Sequence, residues 1–281
     1  MGQTFLSGRD SVVSQQIVQL QIVQLMKLSI RLTTHGMNPL PDDPSAAENV
    51  VPSAFPALPD CADTLPIIPG GWTSYDLPIA DHVLKLIRPT NPDLFLDDVQ
   101  VHEKNSQNDY MPYWAFLWPS AMKMAAAVLR AEWPMGTRVL ELGAGIGLVG
   151  VASLLRGDRV TFSDYDSTAL HMCRLNARLN GLPDPELLEL DWRNVPRLQF
   201  PVLVGCEVTY DAALHLPLLK LIEQMLEPGG ICWLGDPGRY QAQNFYQAAV
   251  DYGFCVQVLD ESGNIFNSPL SGAFQILRLV R

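Results

Sequence analysis

Positive charge is in short supply: 19 Lys and Arg stand against 30 Asp and Glu, a formal net charge of −11 at pH 7. A surface of that sign repels phosphate backbones, which weighs against nucleic acid as a partner and favours a basic protein patch. Cysteine is also sparse. The five present (Cys61, Cys173, Cys206, Cys232 and Cys255) fall singly, mostly inside apolar segments, with no Cys-x-x-Cys pair, and the five histidines do not cluster. This argues against a disulfide framework and a zinc site, so no metal is expected, and it suits a reducing, cytoplasmic setting. No run of about 18 uncharged apolar residues occurs, which leaves nothing to span a bilayer as a helix. The amino terminus has no basic stretch followed by an apolar block, so no secretory signal is expected.

What is present divides the chain in two. With 281 residues, 48% of them apolar, it can bury a core for one domain or one and a half. The first 70 residues look unlike the rest. "QIVQLQIVQL" repeats QIVQL over residues 16–25, a period of five that fits neither helix nor strand. Met26 and Met37 follow it as candidate starts. Residues 38–69 hold eight prolines among Ser, Asp and Ala, the composition of an extended linker. Residues 1–70 are therefore expected to be a disordered or mis-started tail and linker, 71–118 a strand and helix extension, and 119–281 the main domain.

From Trp72 the pattern is regular. "WTSYDLPI" and "HVLKLIRP" read as strands joined through Ala80-Asp81. Helical spacing runs from Pro119 to Glu132, with Pro119 suited to a first turn. Alternation follows: strand 138–142, helix 147–156, strand 159–163, helix 166–180, strands 187–190 and 202–206, helix 212–226, strand 230–234, helix 239–252, and strands 254–260 and 273–279. This predicts an α/β fold, a Rossmann-like doubly wound sheet of seven strands, mostly parallel. The last two strands have no helix between them, so they are expected to pair antiparallel at one edge. Met122 and Met124 read as packing, and His102, His171 and His215 as surface residues.

"RVLELGAGIGLVGVASLL" is strand, glycine turn and helix. Gly143, Gly145 and Gly147 let the backbone approach a ligand at a strand's carboxyl end. Gly145, Gly147 and Gly150 also satisfy GxGxxG, the dinucleotide fingerprint, with Asp164 at the right distance for a ribose. Against a dinucleotide stands Glu141, an acid aimed at the turn, which would repel a pyrophosphate and suit a ligand carrying an ammonium and a sulfonium. S-adenosylmethionine is such a ligand. With no Lys or Ser/Thr after it, the turn is no P-loop. Asp164 ends the second strand, where it could hold ribose hydroxyls or merely cap a turn, with Tyr165 beside it; Asp166 is the expected N-cap of the following helix. Asp191 and Trp192 end the third strand, offering adenine an acceptor and an apolar wall, or Trp192 only packs.

"GCEVTYDAA" raises a separate question, because the apolar run Pro201–Gly205 leads through Cys206 to a carboxylate, Glu207, and a phenol, Tyr210. A strand that only needs to stop can use Gly, Asn or Pro. One answer makes Glu207 an acid complementing the dipole of helix 212–226; another makes it functional. "DPGR", residues 236–239, leaves the next strand as a plain helix start or as part of the same site.

These residues carry a family resemblance. "ELGAGIG", Asp164 and "LDW" resemble seven-strand class I methyltransferases. Glu207-Val-Thr-Tyr210 resembles the acidic-x-x-aromatic signature of the small protein-lysine methyltransferase group, and "YWAFLWPS", 113–120, its preceding aromatic segment. "GDPGR", 235–239, is similar to the electron transfer flavoprotein beta-subunit lysine methyltransferases, which typically have Asp where Glu207 stands. The resemblance covers roughly residues 72–281. It implies that Trp118 covers the cofactor S-adenosylmethionine, that Glu141, Gly143, Gly145 and Gly147 hold its methionine end and Asp164 its ribose, with Tyr165, Asp191, Trp192 and Cys206 on the cofactor side, and that Glu207 and Tyr210 face the methyl group. A monomer acting on lysines of a basic protein patch, such as that flavoprotein subunit, is the expectation. A ribosomal protein or a small amine such as nicotinamide remains an alternative acceptor, and an NAD-dependent oxidoreductase a further reading. The Asn/Asp-Pro-Pro-Tyr/Phe motif common in nucleic-acid base methylation is replaced here by "EVTY".

Overall fold

The computed structural model describes residues 65–108 and 110–281. The QIVQL repeat, both candidate starts and all but the last few residues of the proline-rich stretch lie outside them. β1 (Trp72–Ile79) and β2 (His82–Pro89) form the expected hairpin, in register from Trp72 opposite Pro89 to Ile79 opposite His82. Its outer edge is satisfied by side chains. The Ile87 amide donates to Asn176 Oδ1 at 2.7 Å, Asn176 Nδ2 donates to the Ile87 carbonyl at 3.1 Å, and Asn180 makes the same two-way pairing with Lys85.

A short helix, α1 (Val99–Asn108), follows, opened by Asp98 Oδ1 accepting from the amides of Gln100 and Val101. Hydrophobic periodicity does not reveal it, since "VQVHEKNSQN" buries only Val101 among its described side chains. α2 (Pro119–Leu129) begins at Pro119 as expected. The domain then alternates β3 (Arg138–Leu142), α3 (Leu148–Arg156), β4 (Arg159–Asp164), α4 (Ser167–Leu179), β5 (Glu186–Glu189), β6 (Phe200–Cys206), α5 (His215–Met225), β7 (Leu226–Asp236), α6 (Tyr240–Tyr252), β8 (Cys255–Leu259), β9 (Ile265–Phe266) and β10 (Gln275–Val280). Asp166 caps α4 as expected, accepting from the Thr168 amide at 2.7 Å. Asp211 caps a 3-10 turn, Ala212–Leu214, that precedes α5 and shortens it relative to the predicted 212–226.

The sheet order is β5-β4-β3-β6-β7-β10-β8-β9. β8 and β10 do pair antiparallel, but β10 inserts between β7 and β8 and is antiparallel to both. The reason is burial. Gln275, Ile276, Leu277 and Leu279 are all inaccessible, as a central strand requires, while the edge falls to β9, an exposed two-residue strand that makes an eighth. Side chains alternate between two cores. Val139 joins the one that includes Met124, Val149 and Leu170 from α2, α3 and α4, whereas Leu140 and Leu142 join the one that includes Leu221 and Phe245 from α5 and α6. Met122 and Met124 pack as predicted. The strand order reverses between β3 and β6. In open α/β sheets the crevice beyond the carboxyl ends at such a switch point is where ligands bind.

Candidate functional site

Glu141 lies one residue before the end of β3, 2% exposed, and its Oε2 accepts from the Gly150 amide at 2.9 Å. This explains Gly150. A Cβ there would stand 2.2 Å from the Phe162 ring and 2.4 Å from the carboxylate itself. Burial pushes the Glu141 carboxyl up to about 8, with the Gly150 bond opposing and the Asp164 charge adding. Gly143 turns the chain at φ +61, and a Cβ on it would come within 2.9 Å of Val208 and 3.8 Å of the Trp192 ring. The turn after β3, the turn after β6 and the loop after β5 therefore meet at one point.

Asp164, at the end of β4, accepts from the Gly145 amide at 2.8 Å and the Asp166 amide at 3.0 Å, and burial raises its carboxyl to about 6. Tyr165 beside it is exposed. Asp166 also accepts from the Tyr110 hydroxyl, which ties the segment before α2 to this strand end. Asp191 is engaged within its own turn, by Arg193 Nε at 2.8 Å, the Arg193 amide at 3.0 Å and Asn194 Nδ2 at 3.1 Å. The Arg193 side-chain bond holds its carboxyl below the usual range.

On the other side of the switch point β6 ends at Cys206, whose thiol burial pushes well up. Glu207 follows in the left-handed region, φ +55, and is 5% exposed. A residue with a Cβ holds that conformation only where its surroundings impose it. Here the backbone amide donates to the Gly235 carbonyl at 2.7 Å, Oε1 accepts from the Ser120 amide at 2.9 Å, and Oε2 accepts from the Arg239 guanidinium. Ser120 sits in the first turn of α2, so the helix dipole that Glu207 meets belongs to α2 and not to the helix that follows it in sequence. Tyr210 is half-buried, and burial raises its hydroxyl, with Tyr113 and Asp211 adding. Its ring meets Tyr113 edge-on at 5.6 Å; Tyr113 lies 6.3 Å from Trp118, over whose ring the Arg239 guanidinium sits at 5.8 Å.

Sequence reasoning left the partners of Glu207 unassigned. Asp236 ends β7 fully buried, accepting from the amides of Gly238 at 2.7 Å and Arg239 at 2.8 Å and from the Thr209 hydroxyl at 3.2 Å. "GDPGR" is thus a tight turn opening α6 that also supplies the cation on Glu207. His215 corrects the surface expectation. It is 6% exposed, with Nε2 2.9 Å from the Thr209 carbonyl and its ring edge-on to Phe245, because the first turn of α5 faces inward. His102 is exposed and His171 half-buried. Among the described residues no group of three or more His, Cys, Asp or Glu is placed to hold a metal ion.

A family model described as "Lysine methyltransferase" matches residues 115–251, the group toward which the sequence motifs pointed. The electron transfer flavoprotein beta subunit lysine methyltransferase of Xenopus laevis is 29% identical over 133 residues, 46% of this chain and 54% of that protein. The histidine protein methyltransferase 1 homolog of Dictyostelium discoideum is 31% identical over 112 residues, 37% of this chain and 36% of that protein. The chain therefore spans about half or less of the length of these relatives. Among solved structures, a TehB-like SAM-dependent methyltransferase from Corynebacterium glutamicum has a TM-score of 0.49 at 16% identity, covering 68% of this chain and 100% of that one.

Proposed function

We propose that this protein transfers methyl groups from S-adenosylmethionine to lysine side chains of a protein. One observation carries the reading: Glu141, Asp164, Glu207 and Asp236 come to the carboxyl ends of four strands, β3, β4, β6 and β7, around a glycine turn at the switch point. A pyrophosphate would meet a cluster of acids there. A ligand with an ammonium, two ribose hydroxyls and a sulfonium would meet acceptors. The match of residues 115–251 to a lysine methyltransferase family model supports the same chemistry.

The donor supplies a methyl group already activated on a sulfonium, so the protein's part is alignment. Glu141 and the turn Gly143–Gly147 would take the amino-acid end. Asp164, at the end of β4, would hold the ribose hydroxyls. Tyr165, Asp191, Trp192, Trp118 and Cys206 complete the cofactor set. Glu207 and Tyr210 orient the entering amine, and the faces of Tyr210, Tyr113 and Trp118 accommodate a methylated ammonium. The amine must arrive neutral, and solvent can take its proton.

The names of the matched relatives include both lysine and histidine methyltransferases. The lysine reading rests on Glu207 with Tyr210 and on the family model. A net charge of −11 favours lysines on a basic patch, with the electron transfer flavoprotein beta subunit as the substrate the similarity suggests, and a monomer in the cytoplasm as the working form. Among the described residues no helix is long and apolar enough to cross a membrane. Titration calorimetry tests the cofactor: S-adenosylmethionine or its demethylated product should bind and NAD should not, whereas tight NAD binding alone would overturn the reading.

A further inference from the structure

The lysine reading leaves Arg239 without a task. Its backbone amide is fixed 2.8 Å from Asp236 Oδ1, and Nη1 lies 4.0 Å from Asp236 Oδ2 without a hydrogen bond of its own. The turn behind it has no slack. Gly238 stands at φ +85, and a Cβ there would lie 2.6 Å from the amide nitrogens of Gly272 and Ala273. From this base the guanidinium reaches one oxygen of Glu207 while the Ser120 amide holds the other. The charged groups around the adjoining Cys206 are Glu207 itself, Glu141 from β3, Asp236 from β7 and Arg239 from the start of α6, three acids and one cation, and that cation is the one paired with Glu207. Glu207 is also in a left-handed backbone conformation, with its amide bonded to the Gly235 carbonyl.

We propose that Arg239 is a positioning residue for the transfer step and acts through Glu207: with the Ser120 amide it holds the carboxylate in one orientation at the end of β6. The inference rests on the lysine reading and gives that site a control it otherwise lacks. A bare buried carboxylate beside a lysine would stabilise the ammonium and withhold the neutral amine that the reaction needs. A guanidinium, which does not deprotonate in proteins, offsets that charge permanently. Glu207 then orients the amine without trapping its cation. Arg239 needs no contact with the substrate to do this.

The test begins without substrate, on the full chain carrying ¹³C-labelled glutamate, with Glu207→Gln used to assign the signal. At fixed pH, Arg239→Met should shift or broaden the Glu207 carboxyl signal, because the guanidinium bonded to Oε2 is lost. Arg239→Lys should restore most of the difference, and it serves as the working variant if Arg239→Met melts early. An unchanged Glu207 signal overturns the proposal. Turnover adds the second arm. Arg239→Met should lower kcat tenfold or more and leave donor affinity alone, and Glu207→Gln/Arg239→Met should be no slower than Glu207→Gln. Losses that multiply in the double variant would show that Arg239 acts on the substrate directly and would also overturn the proposal. If the Glu207 signal moves but the wild type labels no lysine, the lysine reading fails while the pairing of Arg239 with Glu207 is upheld.

Discussion

On the β3–β4 side of the crevice each carboxylate is held by backbone amides close in sequence. Glu141 is bound to Gly150, nine residues away, and Asp164 to Gly145, 19 away. On the β6–β7 side the bonds to Glu207 join separate elements, to Ser120 across 87 residues and to Arg239 across 32, while Asp236 reaches Thr209 across 27 and also takes the amides of Gly238 and Arg239 in its own turn. The first half is a cradle made by one strand–turn–helix unit and its neighbour. The second is assembled only when α2, β6, β7 and α6 have docked. In the proposed reading the local half holds the cofactor and the assembled half receives the acceptor.

Substitutions should separate the halves. Asp164→Ala should weaken donor binding by about 1.5–3 kcal/mol, the usual range for hydrogen bonds to a charged group, with little change in substrate KM. Calorimetry beside steady-state kinetics checks both. Glu207→Gln keeps the shape of the side chain and removes its charge. It should slow turnover by tenfold or more, about 1.4 kcal/mol of barrier, and leave donor affinity nearly unchanged. A loss of donor binding instead would mean that the two halves are one site. Tyr210→Phe keeps the ring that faces Tyr113 and should cost less than Glu207→Gln in the same assay.

Acidity should act mainly on the first half. Burial raises Asp164 to about 6 and Glu141 to about 8, above their values in the unfolded chain. Between its unfolded and folded values each group binds more protons in the folded state, so the ligand-free protein loses stability as pH rises through that window. A cationic, ribose-bearing donor needs the charged forms. Its affinity should therefore climb with pH through about 6 and again through about 8 before levelling off, and calorimetry across that range would show a flat profile if neither acid touches the donor.

How much of this was legible follows the same division. β3, the glycine turn, α3, Asp164 and the Asp166 cap could be read because strand alternation, glycine spacing and capping chemistry act over a few residues. α1 escaped because its described side chains bury only Val101. The position of β10 escaped because an antiparallel pairing predicted from a missing helix does not say which strand lies inside; the near-continuous burial of "QILRLV" decides it. Glu207 was recognised as placed, but its partners were not, since no spacing rule links Ser120 or Arg239 to it. The cation in "GDPGR" was the available hint. Asp191 could be singled out from its strand end, but its capture by Arg193 two residues on depends on the turn's conformation.

The central claim is transfer to protein lysine. Extract from cells lacking this protein, incubated with the purified chain and S-adenosylmethionine bearing a tritiated methyl group, tests it directly, with labelled bands resolved by mass spectrometry. Methylated lysine should appear on a small number of proteins, a signal that Glu207→Gln reduces tenfold or more. Label confined to histidine, arginine or nucleic acid, or equal labelling by Glu207→Gln, would contradict it.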